Sequence, residues 1–230
     1  MSQFDAHAHS YDSDLSRGLS LSGESRDFFL EGRVSWLKNR LDRLGVRPTR
    51  VLDYGCGTGS SAPVLRRVLG ARVVVGVDPS EEEIAIARRD HPDETFALTK
   101  EFTPASDYDL VYCNGVFHHV AVTERSPLVK RIRDSLRPGA LFALWENNPW
   151  NPGTRWVMSR IPFDRDAVML SGPETCRLLR DGGFEIVHHD FLFIFPKMLR
   201  ALRGIEPYLA GLPLGAQYIV LGRKPAFDLG

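Results

Sequence analysis

Residues 51 to 60 read VLDYGCGTGS, so Gly55, Gly57 and Gly59 alternate directly after an apolar run. Glycines in this position let the backbone turn tightly and let a ligand approach it closely. Asp53 stands just before the turn, and Asp78 closes the next apolar run, RVVVGVD, about two dozen residues on. A carboxylate there can accept hydrogen bonds from both hydroxyls of a ribose. Together these residues point to an adenosine-type cofactor. The spacing is G-x-G-x-G, with Ser60 where a dinucleotide site would place its third glycine. An acid before the turn suits a ligand carrying an ammonium and a sulfonium better than one carrying a pyrophosphate. Further on, His118 and His119 titrate near neutrality and could take a proton. Glu146, Asn147 and Asn148 follow a later apolar run and could bind the polar groups of a substrate.

Strands and helices must alternate to bring these groups together. RVLDY (50–54), RVVVGVD (72–78), Thr95–Leu98, DLVYCN (109–114), ALFALWE (140–146), FEIVHHD (184–190) and QYIVLGR (217–223) read as strands. A helix is predicted over Asp27–Leu44, ended by Gly45, and another over Ser60–Leu69. Ser80 with Glu83 reads as a capping box, as does Ser171 with Glu174. Leu128, Ile132 and Leu136 share one predicted helix face, with Pro138–Gly139 stopping that helix. Gly182–Gly183 end the short helix opened at Ser171. This order predicts an α/β fold: a seven-stranded, mostly parallel sheet with helices on both faces. Residues 1–45 form an arm and lid helix within the same domain as 46–230, and about 147–172 is a substrate-side insert. Ligands in such sheets bind beyond the carboxyl ends of the strands.

Composition narrows the partners. Among 230 residues, 29 Lys plus Arg balance 29 Asp plus Glu, so the basic excess expected of a nucleic-acid binder is absent. Cys56, Cys113 and Cys176 are far apart and show no metal-binding spacing. His7 and His9 have no third ligand nearby, so no metal is expected. No leader-like start and no run long enough to span a bilayer is seen. The expectation is a cytoplasmic enzyme, monomer or homodimer, acting on a small molecule.

VLDYGCGTGS and VVGVDPS resemble the first two motifs of class I S-adenosylmethionine-dependent methyltransferases. YDLVYCNGVFHHV and LRPGALFALWENN resemble the motifs of their fourth and fifth strands. The resemblance is nearest to small-molecule enzymes of the ubiquinone-biosynthesis and natural-product tailoring type. It implies a Rossmann-like fold, S-adenosylmethionine as methyl donor and S-adenosylhomocysteine as product. Carried over by motif, the cofactor residues are Tyr11, Arg33, Asp53, Gly55, Cys56, Gly57, Gly59, Asp78, Pro79, Ser80, Glu101, Phe102, Asn114 and Gly115. His118 or His119 is the implied base, and Glu146, Asn147, Asn148 and Trp150 are the substrate residues. The acceptor is expected to offer an oxygen or nitrogen nucleophile and to be partly apolar. The aromatic stretches around Trp150, Trp156 and Phe163, and at 191–202, suggest an apolar pocket. Two other readings stand beside this one: an NAD(P)-dependent oxidoreductase and a non-catalytic S-adenosylmethionine-binding protein.

Overall fold

The computed structural model describes residues 23–160 and 167–226. Its strands are β1 (Arg50–Tyr54), β2 (Val73–Asp78), β3 (Thr95–Leu98), β4 (Tyr108–Asn114), β5 (Leu136–Asn147), β6 (Glu185–Leu192) and β7 (Gln217–Arg223). They form one sheet in the order β3-β2-β1-β4-β5-β7-β6. β1 to β5 pair in parallel, and β7 lies antiparallel between β5 and β6. This is the expected seven-stranded, mostly parallel sheet. From β1 the chain builds outward through β2 and β3, then returns to place β4 on the other side. The loops after β1 and β4 therefore diverge and leave a crevice between them.

The helices are α1 (Arg26–Arg43), α2 (Ser61–Leu69), α3 (Glu81–Asp90), α4 (Val122–Ser135), α5 (Pro152–Met158), α6 (Gly172–Asp181) and the short α7 (Glu206–Leu209). Strand residues alternate between two core layers, as a pleated sheet buried on both faces requires. Val51, Leu110, Tyr112, Ala143, Trp145 and Ile219 pack with Leu37, Leu65 and Ile84 of α1, α2 and α3. Leu52, Val111, Cys113, Leu144 and Val220 pack with Ile132 of α4 and Leu179 of α6 on the opposite face.

Several boundaries differ from the sequence reading. α4 ends at Ser135, and Leu136 opens β5 instead of closing a helix face. Pro138–Gly139 do not stop the helix. They fall where the β4–β5 register shifts from Tyr108↔Leu136 to Leu110↔Leu141, a place where proline and glycine are tolerated in a strand. The serine half of the Ser80 cap forms, with its hydroxyl accepting from the Glu83 amide at 3.2 Å. The Ser80 amide donates to Asp78 Oδ1 at 2.9 Å. At α6 the Glu174 carboxylate receives both the amide and the hydroxyl of Ser171. The insert carries a helix of its own, α5, capped by the Asn151 side chain.

α1 shows why the first helix belongs to the sheet. Phe29, Arg33, Leu37 and Leu41 recur every four residues and face inward. The side chain of Asp190, near the end of β6, receives Trp36 Nε1 at 3.0 Å, Arg40 Nε at 2.7 Å and Arg40 Nη2 at 2.9 Å. This two-pronged ion pair is almost out of water, so removing one partner strands the other. Asp190→Ala is expected to lower stability by about 3 kcal/mol, the lower end for a broken buried pair. Urea unfolding of wild type and variant measures it.

Candidate active site

The glycine turn leaves β1 and is pinned to the end of β2. The amides of Gly55 and Cys56 both donate to the Val77 carbonyl, at 2.8 and 3.1 Å. The Gly57 amide donates to Asp78 Oδ2 at 3.0 Å. Gly55 has a φ of 76°, and a Cβ there would lie 2.2 Å from Val116 Cγ2. Only glycine meets both conditions. Asp53 is buried below the turn, where it accepts from the Ser61 hydroxyl. Arg33 of α1 is also buried; its Nε donates to Tyr112 Oη at 3.3 Å and its Nη1 to Gln217 Oε1 at 3.0 Å.

On the far side of the crevice, β4 ends at Asn114. Gly115 follows, with its amide on the Trp145 carbonyl at 3.0 Å. The chain then makes one 3-10 turn, Phe117–His119. Glu146, at the end of β5, is 2% exposed, and its Oε1 accepts from the Phe117 amide at 2.7 Å. Its Oε2 lies 2.6 Å from His118 Nδ1. His119 stacks obliquely on His118, with ring centroids 4.0 Å apart.

A cavity of about 750 Å³ joins these groups, within the ~300–1,000 Å³ range of small-molecule sites. It is lined by Arg33, Asp53, Gly55, Cys56, Gly57, Asn114, Gly115, His118, Glu146 and Asn147, all expected from sequence. The other expected residues fall elsewhere. Asp78 and Ser80 are not part of the lining but hold the glycine turn and the start of α3, while Pro79 is exposed and Gly59 packs towards Phe96. Glu101 and Phe102 are not brought to the cavity. Glu101 is exposed, and the Phe102 ring packs beside Tyr108 in the layer under α4. Arg131 fixes that segment by donating to the Thr99 and Phe102 carbonyls. Asn148 is buried and holds the loop before β7, donating to the Pro213 and Gly215 carbonyls. Trp150 is 52% exposed and lies against Phe191. His119 does not line the cavity. Tyr11, with Asp12, His7, His9 and Phe163, lies outside the described residues.

Residues 29–189 match a protein family described as "Methyltransferase domain". The chain belongs to that family: it is an S-adenosylmethionine-dependent methyltransferase. Two curated relatives are named trans-aconitate 2-methyltransferase. The one from Delftia acidovorans is 27% identical, covering 73% of either chain. The one from Mycobacterium tuberculosis is 31% identical over 64% of this chain, which spans 60% of that relative's length. A crystal structure of a TehB-like S-adenosylmethionine-dependent methyltransferase from Corynebacterium glutamicum superposes with a TM-score of 0.62 over 95% of this chain and 98% of its own, at 18% identity, and so shares the fold.

Sequence reasoning missed part of this methyltransferase's cavity. Glu83 reaches it from α3, Gln217 from β7, and Thr154, Val157 and Met158 from α5. Phe28, Phe29 and Phe193 form an aromatic wall, with centroid distances of 4.9 to 5.9 Å. The aromatic density at 191–202 was a signal for this wall; nothing local marks Gln217. Phe193 takes a φ of 62°, a left-handed conformation costing about 1–2 kcal/mol for a residue with a side chain. α1 helps to hold it there: a Cβ on Gly32 would meet the Phe193 ring at 2.7 Å.

Asp53 gives the site a pH dependence. Burial pushes its carboxyl up to about 7; the Ser61 hydroxyl opposes this, the Asp78 charge adds to it, and Arg33 opposes it. The folded value lies above the ordinary one. The stability this group contributes is therefore full below its unfolded pKa and is lost as pH rises towards 7. A cationic donor prefers the carboxylate, so its binding should expel a proton and tighten with pH. Calorimetry with S-adenosylmethionine is expected to show about tenfold tighter binding at pH 8 than at pH 6, and Asp53→Asn is expected to flatten that slope.

Proposed function

We propose that the methyltransferase holds S-adenosylmethionine across the glycine turn and carries the methyl group to an oxygen or nitrogen of a small, partly apolar metabolite. One observation carries this reading. A single cavity combines a buried carboxylate beside a glycine turn, a histidine held by a second buried carboxylate, and an aromatic wall. The charge of the lining fits the donor: Asp53 and Glu83 beside the turn suit the cationic end, and Arg33 suits its carboxylate. Asp78 serves the ribose. Its two oxygens take one amide each, and a carboxylate has lone pairs left for hydroxyls. Asn114 and Gly115 border the donor from β4. When bound, S-adenosylmethionine supplies an electrophilic methyl group and leaves as S-adenosylhomocysteine. The protein's part is to align the acceptor, exclude water and take up any proton.

The acceptor region is supplied by α1, α5 and the segment after β6, where Phe193, Ile194 and Phe195 meet Phe28 and Phe29. Asn147, Gln217 and Thr154 give that apolar surface its polar points. The names of the curated relatives put small carboxylic acids into the panel of acceptors to test. All three cysteines are free and buried, which supports a reducing, cytoplasmic setting. Among the described residues no helix is long and apolar enough to cross a membrane.

Thermal unfolding separates this function from nicotinamide chemistry. S-adenosylhomocysteine at a hundredfold excess over its Kd is expected to add about 2.7 kcal/mol, or a Tm rise of about 5–10 °C for a chain of this size. NADH is expected to leave Tm unchanged. Asp78→Ala should abolish the rise. A shift with NADH and none with S-adenosylhomocysteine would overturn the assignment.

A further inference from the structure

Glu146 does something other than meet a substrate. Neither carboxylate oxygen is left without a protein partner: Oε1 has the Phe117 amide at 2.7 Å and Oε2 has His118 Nδ1 at 2.6 Å. Glu146 is 2% exposed and His118 5%. A carboxylate this far from water is tolerated only with such donors in place. The turn that carries His118 is braced from the other side as well. Arg125 Nε donates to the carbonyls of Phe117 and Val120, both at 3.1 Å, and its Nη2 donates to the Val168 carbonyl at 2.5 Å. The Val168 amide in turn donates to the His118 carbonyl at 2.9 Å. The imidazole is thus fixed through its ring, its backbone and its neighbours, at the wall of the cavity.

A neutral imidazole has one N–H and one lone-pair nitrogen, and the group facing one nitrogen decides which is which. A carboxylate facing Nδ1 demands the proton there. We propose that Glu146 is a positioning residue that keeps the His118 proton on Nδ1, so that Nε2 takes the proton of a hydroxyl-bearing acceptor, an alcohol or a phenol. This rests on the methyl-transfer reading above. In the step, the acceptor oxygen forms its new bond to the methyl carbon as the carbon–sulfur bond breaks with its electron pair on sulfur. The acceptor's proton moves to Nε2, and the imidazolium so formed is paired with Glu146 until the proton passes to water. A carboxylic acid acceptor is already ionised at neutral pH and has no proton to give, so a pair of this kind matches a hydroxyl. The acceptor chemistry here therefore departs from that named for the trans-aconitate relatives.

Glu146→Gln is the informative variant. Its amide oxygen can still accept from Phe117, but its NH₂ turns towards Nδ1 and forces the proton to Nε2. Two readouts are taken on the full chain: long-range ¹H–¹⁵N correlation spectra of ¹⁵N-histidine protein saturated with S-adenosylhomocysteine, and methyl transfer to 3,4-dihydroxybenzoate and to trans-aconitate. The wild type is expected to carry the His118 proton on Nδ1 and the variant on Nε2. Turnover on the hydroxyl probe should fall by about 10²–10⁴-fold, with S-adenosylhomocysteine affinity within twofold of wild type. Glu146→Asp, which keeps an acceptor for Nδ1, should restore the wild-type tautomer and part of the rate. A wild-type proton on Nε2, or an unchanged tautomer or hydroxyl turnover in a folded Glu146→Gln protein, overturns the role of Glu146. A wild type that methylates trans-aconitate and no hydroxyl overturns the acceptor class. Failure of the wild type to bind S-adenosylhomocysteine at all would instead sink the proposed function.

Discussion

The carboxylate of Asp78 is the constraint on which the site depends. It closes β2 and receives two backbone amides, Gly57 from the glycine turn and Ser80 from the start of α3. Two amides of the turn also rest on the Val77 carbonyl one residue earlier. The path of the chain from β1 into α2 is therefore set by the end of the neighbouring strand. Burial raises the Asp78 carboxyl pKa, and the Ser80 and Gly57 amides oppose that rise. The amides thus stabilise the charge that a sugar diol would need to find, and they do so before any ligand arrives. A ligand entering such a site meets acceptors already aimed, so little ordering remains to oppose binding.

The sheet's two faces give the two buried carboxylates that line the cavity, Asp53 and Glu146, different work. Asp53 shares the face of Tyr112 and Trp145, under α1, where it accepts from a neutral hydroxyl and Arg33 supplies the opposing positive charge. With so little compensation its charge is unsettled near neutrality. Glu146 lies on the opposite pleat, two residues beyond Leu144, and faces the Phe117 turn over α4. There an amide and an imidazole satisfy both oxygens. One residue of register would exchange these surroundings. The pairing Tyr112↔Ala143 and Asn114↔Trp145 is what brings the turn after β4 above the end of β5.

What could be read in the chain was what is local in it. The bounds of β1 and β7 agree with the apolar runs, because strands buried on both faces are continuous apolar stretches between turns; those of the short edge strand β3 agree as well. The glycine turn, Asp53 and Asp78 lie within one strand–helix–strand unit and were legible together. Leu136 was misread because it continues the four-residue spacing of Leu128 and Ile132, while no glycine marks the end of α4. Glu101 and Phe102 do not line the cavity, and their position depends on Arg131, some thirty residues away, which ties their segment to α4. Glu146 was read as a group that could bind substrate; its bonds to the Phe117 amide and His118, on another strand's loop, are tertiary. No periodicity reports such a pairing.

The same distinction separates the two halves of the cavity. The centre of the proposed donor half, Asp53, the glycine turn and Asp78, lies within one strand–helix–strand unit, and its form follows from a motif. The acceptor half is a tertiary construction. Phe28 and Phe29 come from α1, Phe193 from the chain after β6 and Gln217 from β7, and the bonds of Trp36 and Arg40 to Asp190 help to hold α1 against β6. Phe193 is held in a left-handed conformation at the centre of that junction. Small changes in how α1 docks would reshape this wall without touching the glycine turn. A chain can therefore keep its methyl donor while its acceptor drifts, and at 27–31% identity to the trans-aconitate enzymes the drift is expected where contacts are long-range. On the proposed reading, acceptor choice would rest with the α1–β6 clamp and the groups it gathers more than with the motifs that define the family.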